Sequence, residues 1–112
     1  MPHADPLVIT IYICNCQVQR VMVDGGSSAD ILFLDAYRRM GLEVEEIKRS
    51  NPPLVGFDGK WVSPVSVVTL PVTAADRTLN VEFIVSDSPS AYNAIMGHEW
   101  IHWMEGVPST LH

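Results

Sequence analysis

The residues best suited to chemistry stand where an apolar run ends on a single carboxylate. Val21, Met22 and Val23 lead directly into Asp24, and two glycines and two serines follow at residues 25–28. A charged group at the edge of a core loses hydration energy unless hydrogen bonds replace the lost water. Glycines let the backbone turn close to the acid, and serine hydroxyls can bond a carboxylate. This pattern is typical of a catalytic aspartate on a loop.

Asp24 also has a purely structural interpretation. Asp and Ser are common at helix N-termini and in turns, so Asp24 could be a turn acid that caps a helix beginning near Ser28. The apolar strand before the acid and the glycines after it favour the catalytic interpretation.

Acid catalysis by Asp24 requires a second carboxylate. In a pair, the ionised member activates water and the protonated member donates to the substrate carbonyl. Two carboxylates about 3 Å apart cannot both ionise, so they share a proton. The chain contains one such Asp-x-Gly loop. The second acid therefore has to come from another copy of the chain, as it would across the two-fold axis of a homodimer.

A second pattern points to different chemistry. His98 and His102 stand four residues apart with Glu99 after the first, which is the His-Glu-x-x-His pattern of zinc hydrolases. On a helix the two histidines would share a face, and Glu99 would act as the base. A catalytic zinc needs a third protein ligand, and the ten residues after His102 offer only Glu105 and His112. Zinc hydrolysis therefore ranks third among the functional hypotheses, and neither a metal nor a cofactor is expected.

The bulk composition predicts one packed domain over residues 1–112. Hydrophobic residues make up 47% of the chain and charged residues 18%. Thirteen acids against seven Lys and Arg give a net charge of −6, which argues against binding to nucleic acid or to an anionic membrane surface. Met1 to Pro6 lack the features of a signal peptide. Free thiols at Cys14 and Cys16 favour a reducing compartment, so an intracellular, cytoplasmic location is expected.

Short strands and turns dominate the predicted elements, which indicates a small, mostly β fold. A helix is predicted across residues 31–41, because apolar residues at positions 33, 36, 37 and 40 have helical spacing and Gly41 can end the helix. Asp58-Gly59 between apolar flanks predicts a hairpin, which is either a flap over a cleft or an ordinary hairpin. A second helix is predicted over residues 98–104. The predicted strands cover residues 7–13, 17–23, 65–70, 79–85 and 92–96, with loops at residues 43–51 and 86–90.

Three segments carry a family resemblance in the right order along the chain. They are residues 23–32 (VDGGSSADIL), residues 54–57 (LVGF) and residues 91–97 (AYNAIMG). The chain resembles the retropepsin-like aspartic proteases of plant Ty3/gypsy retrotransposon polyproteins over nearly its whole length, including the segment at residues 107–112. The resemblance implies a closed small β-barrel with a flap hairpin, one short C-terminal helix and one half-site per chain. It implies an aspartic endopeptidase that processes a polyprotein as a homodimer.

The resemblance also implies roles for individual residues. Asp24 would be the catalytic acid, Gly26 the loop glycine, and Ser27 the hydroxyl that bonds the carboxylate, with Gly25 and Ser28 completing the active-site loop. Asp30 would bind substrate backbone. The flap residues that would contact a peptide substrate are Gly56, Phe57, Asp58, Gly59 and Trp61.

Gly25 departs from the family pattern. The usual loop is Asp-Thr-Gly or Asp-Ser-Gly, and its hydroxyl reaches across the dimer to brace both loops. Gly25 lacks that hydroxyl, so a non-catalytic retropepsin-like module for dimerisation or peptide binding is the second hypothesis. The family's interface strand is expected after His112, which would make the chain a domain excised before that strand.

Overall fold

The computed structural model describes residues 7–42, 55–57, 60–62 and 64–104, with backbone alone for residues 55–57, 60–62 and 64. The chain is mostly β, with eight strands and two short helices in the described ranges. In chain order these elements are β1 (Leu7–Ile13), β2 (Cys16–Val23), β3 (Asp30–Phe33), α1 (Leu34–Arg39), β4 (Val55–Phe57), β5 (Lys60–Val62), β6 (Pro64–Ala74), β7 (Arg77–Ser86), β8 (Ala94–Met96) and α2 (His98–Met104).

Six strands close into a barrel in the order β1-β2-β8-β3-β7-β6. The hairpins β1–β2 and β6–β7 are antiparallel, and β1 closes the barrel by pairing with β6. The short strand β8 lies between β2, to which it is parallel, and β3, to which it is antiparallel. This arrangement brings the end of β2, the start of β3 and the end of β8 to one place.

The core follows from alternation along the barrel strands. Val81, Phe83 and Val85 of β7 are buried, whereas the flanking Asn80 and the intervening Glu82 are exposed. Burying a side chain of this size stabilises the fold by about 1.5–3 kcal/mol. Both helices add to the same core through Ala36 and Tyr37 of α1 and Trp100 and Met104 of α2.

The sequence predicted β1 and α2 with the observed bounds, and β2 within one residue. The predicted hairpin is present as the antiparallel pair β4–β5, in which Gly56 stands opposite Trp61. Its turn residues, Asp58 and Gly59, lie outside the described residues, as do the predicted loop at residues 43–51 and the tail at 107–112.

The prediction of a helix across residues 31–41 was wrong in its first part. Ile31, Leu32 and Phe33 belong to β3, and helix α1 begins only at Leu34. All three side chains are buried because β3 pairs with β7 on one side and β8 on the other. An apolar run buried on both faces does not alternate, so its pattern merges with helical spacing. No helix begins near Ser28, so Asp24 is not a helix-capping acid.

The predicted end of the long strand at Leu70 was also wrong. Strand β6 continues through Pro71 to Ala74, and Pro71 stands opposite Asn80 of β7. Proline is tolerated in a strand where its missing N–H is not needed. Pro71 still accepts a hydrogen bond through its carbonyl oxygen, from the Cys14 N–H at 2.8 Å.

Candidate active site

Asp24 follows the last residue of β2, and its main chain is fixed on both sides. Its N–H donates to the carbonyl oxygen of Met96 at 2.9 Å, which continues the parallel pairing of β2 with β8. Its carbonyl oxygen accepts the N–H of Ser27 at 3.0 Å. These bonds close residues 24–27 into a tight turn attached to the barrel.

The Asp24 side chain is held by the same turn. Its Oδ1 accepts the main-chain N–H of Gly26 at 2.9 Å. A hydrogen bond to a carboxylate is stronger than one between neutral groups. A Cβ atom on Gly26 would stand 3.3 Å from that oxygen, so the absence of a side chain permits the close approach. The half-buried carboxylate is thereby oriented without help from another side chain.

Gly25, by contrast, has room around it. The residue is exposed, and among the described residues the nearest atom to a Cβ built on it is Ile101 Cδ1 at 4.0 Å. This is an ordinary van der Waals distance. Position 25 is therefore sterically open to a larger residue, and packing does not explain the glycine.

Ser27 is fully buried and is bonded within the loop. Its hydroxyl donates to the carbonyl oxygen of Ala29 at 2.7 Å. The one O–H of Ser27 is therefore used on a main-chain oxygen, whereas the resemblance implied a bond to the Asp24 carboxylate. That carboxylate receives the Gly26 N–H instead. Ser28, the last loop residue, is exposed.

Asp30 connects the start of β3 to Gly97, the residue just before α2. Its Oδ1 accepts the N–H of Gly97 at 2.7 Å. Burial raises the pKa of the Asp30 carboxyl above its usual range, and the Gly97 N–H offsets part of that effect. The negative charge of Glu99 raises the same pKa further, and His98 lowers it. One oxygen of this predicted substrate-binding residue is thus engaged inside the chain.

Gly97 lies directly beneath the loop. A Cβ atom on this residue would stand 2.6 Å from the Ala29 carbonyl oxygen and 2.7 Å from that of Ser27. Real Cβ atoms do not approach backbone oxygens so closely, so the contact requires glycine. The Ile95-Met96-Gly97 segment, which the resemblance pointed to, therefore packs against the loop that carries Asp24.

A cavity of about 340 Å³ opens beside the loop. The loop contributes Ser28, Ala29 and Asp30, and the opposite walls come from β7 and α2. Glu82 and Glu99 are the acidic side chains of those walls. The cavity offers space for part of a ligand next to the loop that carries Asp24.

The zinc pattern does not assemble into a metal site in the described part of the chain. His98 and His102 are both exposed, while Trp100 between them is buried in the core. Within residues 7–42 and 64–104, no three His, Cys, Asp or Glu side chains are grouped so as to hold a metal ion. Helix α2 is better explained as a packing element, because Trp100 and Met104 both enter the core.

Sequence reasoning missed the contacts that α2 makes with the loop. The sequence indicates His98 only as a possible zinc ligand, yet its main-chain N–H donates to the Ser27 carbonyl oxygen at 3.0 Å. The signal that could have found it is its position directly after the Ile95-Met96-Gly97 segment.

Among the helices that the structure describes, none is long and apolar enough to cross a membrane.

Solved structures share this fold at low sequence identity. The EIAV protease, solved with the inhibitor HBY-793, aligns with a TM-score of 0.72 at 16% identity, over 99% of this chain and 98% of that chain. The retroviral protease-like domain of Ddi1 from Leishmania major gives a TM-score of 0.66 at 18% identity, over 91% of this chain and 80% of that one. A retropepsin-like aspartic protease from Rickettsia conorii gives 0.64 at 18% identity, over 85% and 69%.

These similarities establish a retropepsin-like fold for the chain. No protein-family model and no curated protein sequence matches it.

Proposed function

We propose that the chain is an aspartic endopeptidase of the retroviral type, active as a homodimer in which each copy supplies one Asp24. The observation that carries this proposal is the position of Asp24. In a fold shared with retropepsin-like proteases, it directly follows a barrel strand and lies on a tight turn whose Gly26 N–H bonds its carboxylate. The fold supplies the scaffold, and the loop supplies an oriented acid.

The mechanism needs two Asp24 carboxylates beside a two-fold axis. One would be ionised and take a proton from water, while the other would be protonated and donate to the carbonyl oxygen of the peptide bond. The proximity of like charges favours this shared-proton state. The Gly26 N–H in each copy would keep each carboxylate oriented while the proton moves. The β4–β5 hairpin would serve as the flap that excludes water from the bound peptide.

We infer that the substrate is a polypeptide, and that its biological form is a retrotransposon polyprotein. The resemblance to plant Ty3/gypsy polyproteins supports the second part. The cavity beside Ser28, Ala29 and Asp30 supports the first, because it offers space for a side chain of an extended peptide next to the loop.

The test is cleavage of a mixed peptide library at acidic pH, read by mass spectrometry, with and without pepstatin. Asp24→Asn keeps the shape of the side chain but removes the acid, so cleavage should fall by about 10²–10⁴-fold. Asp35→Asn is the matched control, because Asp35 is exposed on α1. It should cleave as the unchanged chain does.

Cleavage that survives in Asp24→Asn would refute the proposal. If that residual cleavage is lost on treatment with a chelator and in His98→Ala, the zinc hypothesis replaces it.

A non-catalytic module remains the second candidate, and Gly25 is the observation that favours it. The position has room for the threonine or serine of the family loop, so the missing hydroxyl is not forced by packing. A chain that forms dimers but cleaves no peptide in the library would support dimerisation or peptide binding as its function.

A further inference from the structure

His98 bonds the loop that carries Asp24 through two separate groups. Its main-chain N–H donates to the Ser27 carbonyl oxygen at 3.0 Å. Its imidazole Nδ1 lies 3.2 Å from the same oxygen. A carbonyl oxygen only accepts hydrogen bonds, so the ring contact is a hydrogen bond when Nδ1 carries a hydrogen. The Ser27 carbonyl then has two donors from one residue of α2.

Ser27 transmits this restraint to Asp24. The residue is fully buried, and its own N–H donates to the Asp24 carbonyl oxygen at 3.0 Å. A shift of the Ser27 peptide would therefore move the turn that sets the direction of the Asp24 carboxylate. Catalytic groups have to be held within about 0.5 Å of their productive geometry. The path from the His98 ring to Asp24 contains only two hydrogen bonds.

We propose that His98 is a positioning residue of the candidate active site. Its imidazole holds the Ser27 carbonyl, and through Ser27 it fixes the turn that orients Asp24. This inference rests on the proposed function, because the positioned group is the acid of the proposed dyad. The role belongs to the Nδ1 hydrogen alone, since the main-chain N–H of residue 98 is present whatever the side chain.

Three variants separate the ring donor from the rest of the residue. His98→Asn places an amide N–H as many bonds from the backbone as Nδ1. His98→Gln places its N–H one bond further away, and His98→Ala has no side-chain donor. One neutral hydrogen bond corresponds to a change of about two- to tenfold in rate. We expect kcat to fall by this factor in the Ala and Gln variants with KM unchanged, and to recover within about twofold in the Asn variant.

A second measurement does not depend on cleavage. The amide hydrogens of Gly26 and Ser27 both donate to Asp24, so their exchange with solvent reports how firmly the turn is held. Exchange should accelerate in His98→Ala and His98→Gln and return to the original rate in His98→Asn. His102→Ala is the matched control, because His102 is also exposed and lies one helical turn along α2. It should leave kcat and exchange unchanged.

Original kcat and original exchange in His98→Ala would overturn the inference. So would equal effects of Asn, Gln and Ala, since a generic packing role does not distinguish the position of one N–H. If the unchanged chain shows no Asp24-dependent cleavage, the proposed function fails. The exchange rates then still decide whether His98 holds the turn.

Discussion

At the scale of single residues, hydrogen bonds to main-chain groups fix both the backbone and the carboxylate of Asp24. Its N–H is bonded to Met96, its carbonyl oxygen to Ser27 and its carboxylate to Gly26. All three partners are backbone groups, so the loop conformation sets where the acid points. Side chains act one step away: the His98 ring of α2 contacts the loop, and the Asp30 carboxylate at the start of β3 bonds Gly97, just before α2.

Gly25→Thr should increase activity. The position has room for a Cβ atom, and the resemblance implies that a hydroxyl there braces the two loops of the dimer. A gain of one hydrogen bond predicts an increase of about two- to tenfold in kcat/KM. The dimer should also dissociate less readily in sedimentation experiments. Gly25→Val is the matched control because valine has the shape of threonine without the hydroxyl.

The hydroxyl explanation fails if the Val and Thr variants behave alike. It also fails if threonine weakens both cleavage and dimerisation, because the open space around Gly25 would then not be usable.

At the scale of elements, the site lies where β2, β3, β8 and α2 meet. Two side-chain contacts join the loop and the start of β3 to Gly97 and His98, and both connect residues about seventy positions apart in the chain. The Asp30 carboxylate bonded to the Gly97 N–H is the more buried of the two. The junction therefore depends on a carboxyl group whose raised pKa reflects the cost of burying its charge.

Asp30→Asn should stabilise the fold at neutral pH. The amide oxygen of asparagine can still accept the Gly97 N–H, but it carries no charge that burial penalises. Because the pKa of Asp30 is raised in the folded chain, the folded state binds this proton more tightly than the unfolded state. Stability from this group therefore falls as pH rises from the ordinary carboxyl pKa of the unfolded chain through the raised pKa of Asp30 in the folded chain.

The measurement is the free energy of unfolding of both chains in denaturant, from pH 3 to pH 8. The advantage of the variant should be absent at the acidic end, grow through the titration window and then level off. A variant that loses stability relative to the unchanged chain as pH rises towards neutral would mean that the charged bond to Gly97 outweighs the burial cost.

Most of the helices and strands could be predicted from the sequence because the patterns that indicate them are local. The Val, Ile and Tyr content of β1 and the Asp-Gly pair of the β4–β5 hairpin depend on neighbouring residues alone. The predictions of a helix at residues 31–33 and of a strand end before Pro71 were wrong for the same reason. The structure of these residues is decided by partner strands β7 and β8, or β1 and β7, which the local pattern does not contain.

The candidate site also has one part that could be predicted from local sequence and one part that could not. The Asp24 loop could be predicted because an acid, two glycines and two serines stand together in the chain. The contacts of Gly97 and His98 could not, because they join residues 67 and 71 positions apart. Only the closed barrel brings them to the loop. The bond from the Ser27 hydroxyl to Ala29, in place of one to Asp24, likewise follows from the shape of the folded turn.

At the scale of the whole molecule, one barrel presents one Asp24 loop. Shared-proton catalysis needs two acids about 3 Å apart, so the proposed mechanism requires two barrels with their loops face to face. A two-fold axis produces this arrangement from a single sequence. The proposed function therefore requires that Asp24 of one copy stands beside Asp24 of another.

Disulfide cross-linking of Asp24→Cys tests directly whether the two Asp24 loops face each other. Cys14 and Cys16, which are free thiols, are first replaced by serine. A disulfide requires Cα atoms about 4.4–6.8 Å apart, so only closely facing loops can form it. Under mild oxidation we expect rapid conversion of Asp24→Cys to a covalent dimer, whereas Asp35→Cys, at an exposed position of α1, should cross-link far more slowly. Asp24→Cys dimers that form no faster than those of Asp35→Cys would contradict the proposed function.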